Sequence, residues 1–310
     1  MRASRPSPAP PLRPLEAVNF GALSVVAAMT LFLRARLEDP GGMLLRYAVM
    51  AVALAVISLL LPREGRLPVW ARFLLDFYPA AFIPVLYETL GPLISAARGG
   101  PRDAVLIAAD RALFGVDVTV WLQRAVRPWL TDLFYVSYTT YYFVALVLGF
   151  VLWRRSIPDL RRFIFALTLC YYASYAGYFI VPALGPRIAL AAQHTVVLET
   201  TATSAAIERT LNQLEHTKLD VFPSGHTMIA VMVLLVAHRR ARDVFWALLP
   251  VSVCLVISTV YCRYHYVVDV IAGFVLAMAM VPLGDRLYDS WTASRRREAI
   301  RAGAGTPAGA

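Results

Sequence analysis

Two stretches of the 310-residue chain combine residue types that can do chemistry. The first, Phe222-Pro-Ser-Gly-His-Thr227, sets a proline, a serine and a glycine directly before His226. Pro223 suits the first turn of a helix, where a missing N–H costs nothing. Ser224 and Gly225 would then present a hydroxyl and backbone N–H groups at a helix N-terminus, a ready anion site. His226 follows, within reach of whatever that terminus binds. The second stretch runs from Ser258 to Asp269 and carries His265 and Asp269 four residues apart. On a helix that spacing shares one face. A carboxylate there can hold one imidazole nitrogen protonated and leave the other free to attack. Two histidines and an aspartate can thus supply a nucleophile, its orienter and a general acid.

The elements that must position these side chains belong in a membrane. Hydrophobic residues make up 59% of the chain, charged residues only 16%, and the mean hydropathy is +0.60. A soluble domain carries about 25% charge. The apolar residues fall in blocks of about 20, the length that crosses a bilayer. The patterning predicts an all-α integral membrane protein with about eight transmembrane helices, near 17–34, 43–62, 69–94, 131–153, 161–183, 222–238, 243–262 and 264–285. Residues 1–16 and the basic segment 291–310 read as disordered tails. Residues 17–66 read as two N-terminal membrane helices, and 67–290 as the bundle that carries the chemistry.

Eighteen of the 30 basic residues gather on one set of helix ends, among them Arg154, Arg155, Arg239 and Arg240. The positive-inside rule puts those ends in the cytoplasm. Both termini are then cytoplasmic, segments 95–130 and 184–221 are outer loops, and both motifs meet at the outer face. Segment 95–130 has an amphipathic stretch around Asp110 that suits an interfacial helix. Segment 184–221 is long for a structureless connection and reads as a functional loop. The net charge of +10 could suggest nucleic acid. No basic stretch interleaves with aromatics, however, so no nucleic-acid partner is expected. Lys218 is the one lysine, and the Arg and Ala bias points to a GC-rich bacterial genome and a bacterial inner membrane. Cys170, Cys254 and Cys262 lie in or beside apolar helices and read as packing residues. No cofactor and no metal is expected.

Residues 223–226 and 258–269 resemble the type 2 phosphatidic acid phosphatase (PAP2) superfamily. Its three motifs are a Lys…Arg-Pro element, Pro-Ser-Gly-His, and Ser-Arg-x5-His-x3-Asp. The second stands letter for letter at 223–226. The third has Ser258, His265 and Asp269 in register, with Thr259 at the arginine position. The first is missing in its usual form. Tyr178…Pro182-Ala-Leu-Gly-Pro-Arg187, with His265-Tyr-x-x-Asp269, looks more like the inositolphosphotransferase, or inositol phosphorylceramide synthase-like, branch. The resemblance covers most of residues 68–285. It implies a helical bundle with its site at the extracytoplasmic face. It also implies that His265 attacks phosphorus and forms a phosphohistidine, Asp269 orients it, and His226 protonates the leaving oxygen. Ser224, Gly225 and Arg187 would bind phosphate oxygens. Arg263, read as one helical turn beyond Thr259, is the candidate to replace the missing arginine.

Other residues carry two readings each. Glu88, near the outer end of the third span, is a candidate lining residue. Tyr138 and Tyr178 belong to stripes (Tyr135, Tyr138, Tyr142 and Tyr171, Tyr175, Tyr178) that suit either packing or the wall of a wet cavity. Asp76 lies four after Arg72 and suits a salt bridge at the cytoplasmic end. His194, His216 and His238 show no partner pattern. The expected function is a metal-independent lipid phosphotransferase or lipid-phosphate phosphatase on a phospholipid, sphingolipid or isoprenoid phosphate. Its acceptor is water or a lipid or polyol hydroxyl, and the branch resemblance tilts towards transfer. The competing reading is a non-catalytic lipid-binding or transport protein that retains a phosphate cradle. Thr259 supports that reading; the intact His226, His265 and Asp269 oppose it.

Overall fold

The computed structural model describes residues 12–198, 201–214 and 217–301. Most of the expected tails (1–11 and 302–310) and His216 lie outside them. Fifteen α-helices and a few 3-10 turns build the described chain, which contains no strand. They are α1 Pro14–Leu33, α2 Pro40–Leu60, α3 Val69–Phe77, α4 Pro79–Tyr87, α5 Leu90–Arg98, α6 Asp103–Phe114, α7 Val118–Trp121 and α8 Pro128–Thr139. After these come α9 Tyr141–Arg155, α10 Ile157–Ile180, α11 Pro186–Ala189, α12 Ala202–Leu214, α13 Gly225–Arg240, α14 Arg242–Tyr261 and α15 Val267–Arg301. Residues 14–16 and 291–301, expected in disordered tails, are helical ends of α1 and α15.

Among the described residues, six helical stretches are long and apolar enough to cross a membrane: Pro14–Arg36, Pro40–Leu60, Val69–Arg98, Ile157–Ile180, Arg242–Tyr261 and Val267–Arg295. The pair α8 and α9 makes a seventh if a 47° bend is allowed. The expected count of eight therefore rests on α13, which has only 16 residues. At about 1.5 Å per residue such a helix falls short of a bilayer core about 30 Å thick. Its place in the fold explains the shortness. Met228, Ile229, Met232 and Val233 are all fully buried, and α13 packs against α9, α10, α14 and α15. It is the centre pole of the bundle, with little lipid-facing surface.

The breaks follow from local chemistry. Pro79 opens α4 and Pro84 lies inside it, each removing an amide from the i to i−4 ladder, so the stretch Val69–Arg98 is made of three short helices in succession. Between α8 and α9 the hydroxyls of Thr139 and Thr140 donate back to the carbonyls of Val136 and Ser137. Such back-bonding competes with the helical ladder and bends it. The bend carries Tyr138 and Tyr141 onto one target, described below.

One end of the bundle collects ion pairs: Arg155 with Asp243, Arg162 with Asp289, Arg239 with Asp285 and Arg240 with Asp159. Asp76 belongs to the same end. It pairs with Arg13, just before α1, and with Arg161 of α10, at 3.7 and 3.6 Å, where the sequence suggested Arg72 on its own helix.

Packing in a membrane depends on close approach, because lipid tails are as apolar as leucine. Two glycines make the approaches that matter for the site. A Cβ on Gly177 would lie 2.1 Å from Pro223 Cδ, and one on Gly273 would lie 2.4 Å from the Ser224 carbonyl oxygen. These gaps let α10 and α15 close on the start of α13. Gly273→Ala should therefore push α15 off α13 and lower both thermal stability and any activity. Gly21→Ala, with nothing within 4 Å, should be neutral or stabilising by about 0.5–1 kcal/mol. Thermal denaturation of the two variants in detergent measures the contrast, and equal effects would remove the close-approach argument.

Candidate active site

Two carboxylates on α6 hold the segments that carry the site. Asp103 and Asp110 lie two turns apart with Leu106 between them, and all three are buried. Asp103 accepts from the backbone amides of Leu184 and Gly185, both at 2.9 Å, and from the Tyr266 hydroxyl at 2.9 Å. Asp110 accepts from the amides of Val267 and Val268 at 3.0 and 2.8 Å. Those are first-turn amides of α15, which have no acceptor inside the helix. Burial pushes the Asp110 carboxyl above its ordinary range, and the two amides pull it back in part.

Asp269 completes the start of α15 from within. Its Oδ2 accepts from the Tyr266 amide at 2.9 Å, the reach-back half of a capping box. The same oxygen lies 3.6 Å from His265 Nδ1. The expected helical pairing of His265 and Asp269 is thus corrected: His265 precedes the helix, and the cap brings the two together. What places His265 is the end of α14. Tyr264 N–H donates to Thr259 O and Arg263 N–H to Val260 O, the two bonds of a Schellman turn. His265 N–H also donates to Thr259 O, at 3.0 Å.

That turn also overturns the placement of Arg263. It sits at the left-handed position, with φ 65°, and not one helical turn beyond Thr259. Glycine is usual there. The guanidinium donates to the Val196 carbonyl at 2.6 Å, and the side chain is not part of the cavity wall. Burial lowers its pKa. Thr259 is buried, with its hydroxyl on Val256 O.

Ser224 is the N-cap of α13, which leaves Pro223 one residue outside the helix and not in its first turn. The Ser224 hydroxyl accepts from the Thr227 amide and hydroxyl, at 3.2 and 3.1 Å. Its own amide donates to the Asp269 carbonyl at 3.1 Å, so the two motifs are hydrogen-bonded directly. Gly225 passes close to α10, where a Cβ would stand 3.0 Å from the Tyr178 hydroxyl.

His226 then faces His265, with Nδ1 of the first 3.3 Å from Nε2 of the second. Tyr138 and Tyr141 pack on the His226 ring at 4.5 and 4.2 Å between centroids. Tyr138 also stacks on Tyr264 at 4.4 Å. Arg187 lies over the Tyr264 ring, donates to its hydroxyl at 3.0 Å, and pairs with Glu208 of α12 at 3.5 Å. Its amide donates to Arg263 O.

These groups share one cavity of about 490 Å³. Arg187, Gly225, His226, His265, Tyr138, Tyr178 and Glu88 all line it, whereas Ser224, expected to bind phosphate, is fully buried and not part of that wall. Below them the wall turns apolar along Ile83, Ala145, Phe163, Ile164 and Leu167. Sequence reasoning missed Asp103, Asp110, Glu208 and Asp220. Burial lifts the Asp220 carboxyl above its ordinary range, while the Tyr87 hydroxyl that donates to it and the charge of His265 act against the shift. For Asp103 and Asp110 the available signal was a pair of carboxylates at the i and i+7 positions of an apolar helix face.

A family model described as PAP2 superfamily matches residues 104–283. The chain belongs to the PAP2 superfamily. Phosphatase or phosphotransferase chemistry is what membership suggests. The match takes in α6 through the first half of α15, and so Asp110, Arg187, Ser224, His226, His265 and Asp269 of this PAP2 chain. Tyr87 and Glu88 reach the cavity from outside it. Comparison with curated proteins and with solved structures gives no match.

Asp110→Asn leaves one acceptor oxygen for two amides. It should cost about 1–3 kcal/mol of stability and lower turnover by misplacing Asp269. Unfolding and kinetics on the purified variant check this, and wild-type values in both would contradict the anchoring role.

Proposed function

We propose that this PAP2 protein is a membrane-embedded lipid phosphotransferase or lipid-phosphate phosphatase working through a phosphohistidine, with transfer to a hydroxyl favoured over hydrolysis. The observation that carries the reading is the 3.3 Å approach of His265 Nε2 and His226 Nδ1 in a cavity that also holds Arg187. With Nδ1 turned to Asp269, the Nε2 lone pair of His265 forms the bond to phosphorus as the bond to the leaving oxygen breaks. His226 gives that oxygen its proton. It then takes a proton from water or an alcohol, whose oxygen displaces His265 from phosphorus. Arg187 and the first amides of α13 meet the phosphoryl oxygens. Residues on the chain itself supply each step, so no metal is needed.

The two nitrogens must move apart for this. A nucleophile stands about 3–3.5 Å from the atom it attacks, and a general acid about 2.6–3.2 Å from its oxygen. Phosphorus and its leaving oxygen do not fit inside a 3.3 Å gap. Long 3.6 Å contact to Asp269 is in keeping with a site that tightens on substrate. The apolar floor beneath the histidines suits a lipid chain. Ala80, Pro84, Tyr142 and Leu146 line the cavity and are exposed, which favours entry from the side.

Kinetics in EDTA test the assignment, with a nitrophenyl phosphate and a short-chain phosphatidic acid as substrates. His265→Ala should lose several orders of magnitude on both, since positioning cannot replace a covalent nucleophile. His226→Ala should lose about 10²- to 10⁴-fold on the lipid and much less on the nitrophenyl ester, whose leaving group needs no proton. Substantial activity of His265→Ala on the activated ester, with none for His226→Ala, would exchange the two roles. No turnover by the wild type on any phosphate would favour a non-catalytic lipid binder.

Orientation belongs to the same reading: the end with the ion pairs in the cytoplasm of a bacterial cell, the histidines outside. A cysteine introduced by Gln193→Cys should react with an impermeant maleimide in intact cells. Labelling only after lysis would invert the topology.

A further inference from the structure

Asp220 is a carboxylate in the cavity wall that phosphate chemistry does not account for. A site built for a phosphate gathers cations and amide donors, and Arg187, His265 and the start of α13 meet that need. A carboxylate in the same cavity repels the phosphate. Yet Asp220 lines the wall beside His265, close enough for the two charges to interact. Its position is built. The Tyr87 hydroxyl donates to Oδ2 from α4. Val221, the next residue, is buried against Leu106, Ala183 and Tyr266. Glu88, the neighbour of Tyr87, and Lys218, two residues before Asp220, also line the cavity.

We propose that Asp220, steadied by Tyr87, is a specificity-determining residue that accepts a hydrogen bond from a hydroxyl of the group attached to, or receiving, the phosphate. This rests on the phosphate reading of the cavity above. A carboxylate is an acceptor without a donor of its own, so it selects a donor. An ammonium would also serve as one, but Lys218 stands on the same wall and lowers the Asp220 pKa by its charge. A second cation there meets repulsion, whereas a neutral hydroxyl does not. The ligand class is therefore a phosphate whose alcohol part carries further hydroxyls, or a polyhydroxy acceptor. Tyr87 and Glu88 come from outside the family-matched residues, whereas Asp220 and Lys218 lie within them.

Isothermal titration of the detergent-solubilised full chain tests it with four probes: inorganic phosphate, butyl phosphate, glycerol 1-phosphate and ethanolamine phosphate. The wild type should bind glycerol 1-phosphate about 10- to 100-fold more tightly than butyl phosphate, the range for a hydrogen bond to a charged group. Asp220→Asn should abolish that preference and tighten inorganic phosphate by about 3- to 10-fold, because a like charge has gone. The opposite signs separate recognition from misfolding, which would weaken every probe. Glu88→Gln, at an exposed position, repeats the test with less structural risk and should move the probes the same way by a smaller factor. Equal binding of butyl and glycerol phosphates by the wild type overturns the proposal, as does a preference for ethanolamine phosphate. Failure of all four to bind overturns the phosphate reading and this proposal with it. Binding of inorganic phosphate without discrimination overturns this proposal alone.

Discussion

Two carboxylates of one short helix hold together the segments that carry the candidate site. Asp103 and Asp110 present their oxygens to backbone amides from two other segments, the turn before Arg187 and the start of α15. Neither segment could hold its shape alone. The turn has no regular hydrogen-bonding pattern, and a helix start always leaves amides over. Unmet amides in a dry place are expensive, and a carboxylate meets two at once. Since Arg187 N–H bonds Arg263 O, and Ser224 N–H bonds Asp269 O, the anchored pieces are tied to one another as well. Arg187, the two histidines and Asp269 thus sit on one connected frame rather than on independent loops.

The membrane sets the other constraint. Helices in lipid gain little from hiding apolar surface and must instead fit closely. That is why α13, the most enclosed helix, is met by glycines at Gly177 and Gly273 where its first turn begins. The close fit places the N-terminus of α13 at the wall of the cavity, and the bend between α8 and α9 closes that wall with Tyr138 and Tyr141 on His226. Charge is kept to the far end of the bundle and to the rim of the site. The apolar depth between them remains free for a chain.

Much of this was legible in the residues. The apolar blocks name the membrane helices, and the superfamily is readable from Pro223–His226 with His265 and Asp269. Arg187, Glu88, Tyr138 and Tyr178 come from four separate segments and share one cavity with the histidines. What was not legible depends on partners remote in sequence. Asp110 meets an amide 157 positions further on, and its spacing from Asp103 on an apolar helix face marks the pair without naming that partner. Helical periodicity failed at Arg263, because a non-glycine residue took the left-handed position of a Schellman turn and ended α14 just before it. The same turn makes His265 a loop residue, so its pairing with Asp269 arises by capping and not by helical spacing. Asp76 followed the same rule: an ion pair of the expected kind, with partners from α10 and the chain just before α1.

The central claim is that phosphorus becomes bonded to His265. Its most direct measurement is peptide mapping by mass spectrometry after the full-length protein is mixed with labelled dioctanoyl phosphatidic acid and quenched in alkaline denaturant, in which a phosphohistidine persists. Label should appear on the peptide that carries His265 and be lost on chase with unlabelled substrate. Label on the His226 peptide would contradict that claim, as would turnover by a protein from which no phosphohistidine can be trapped at any time point.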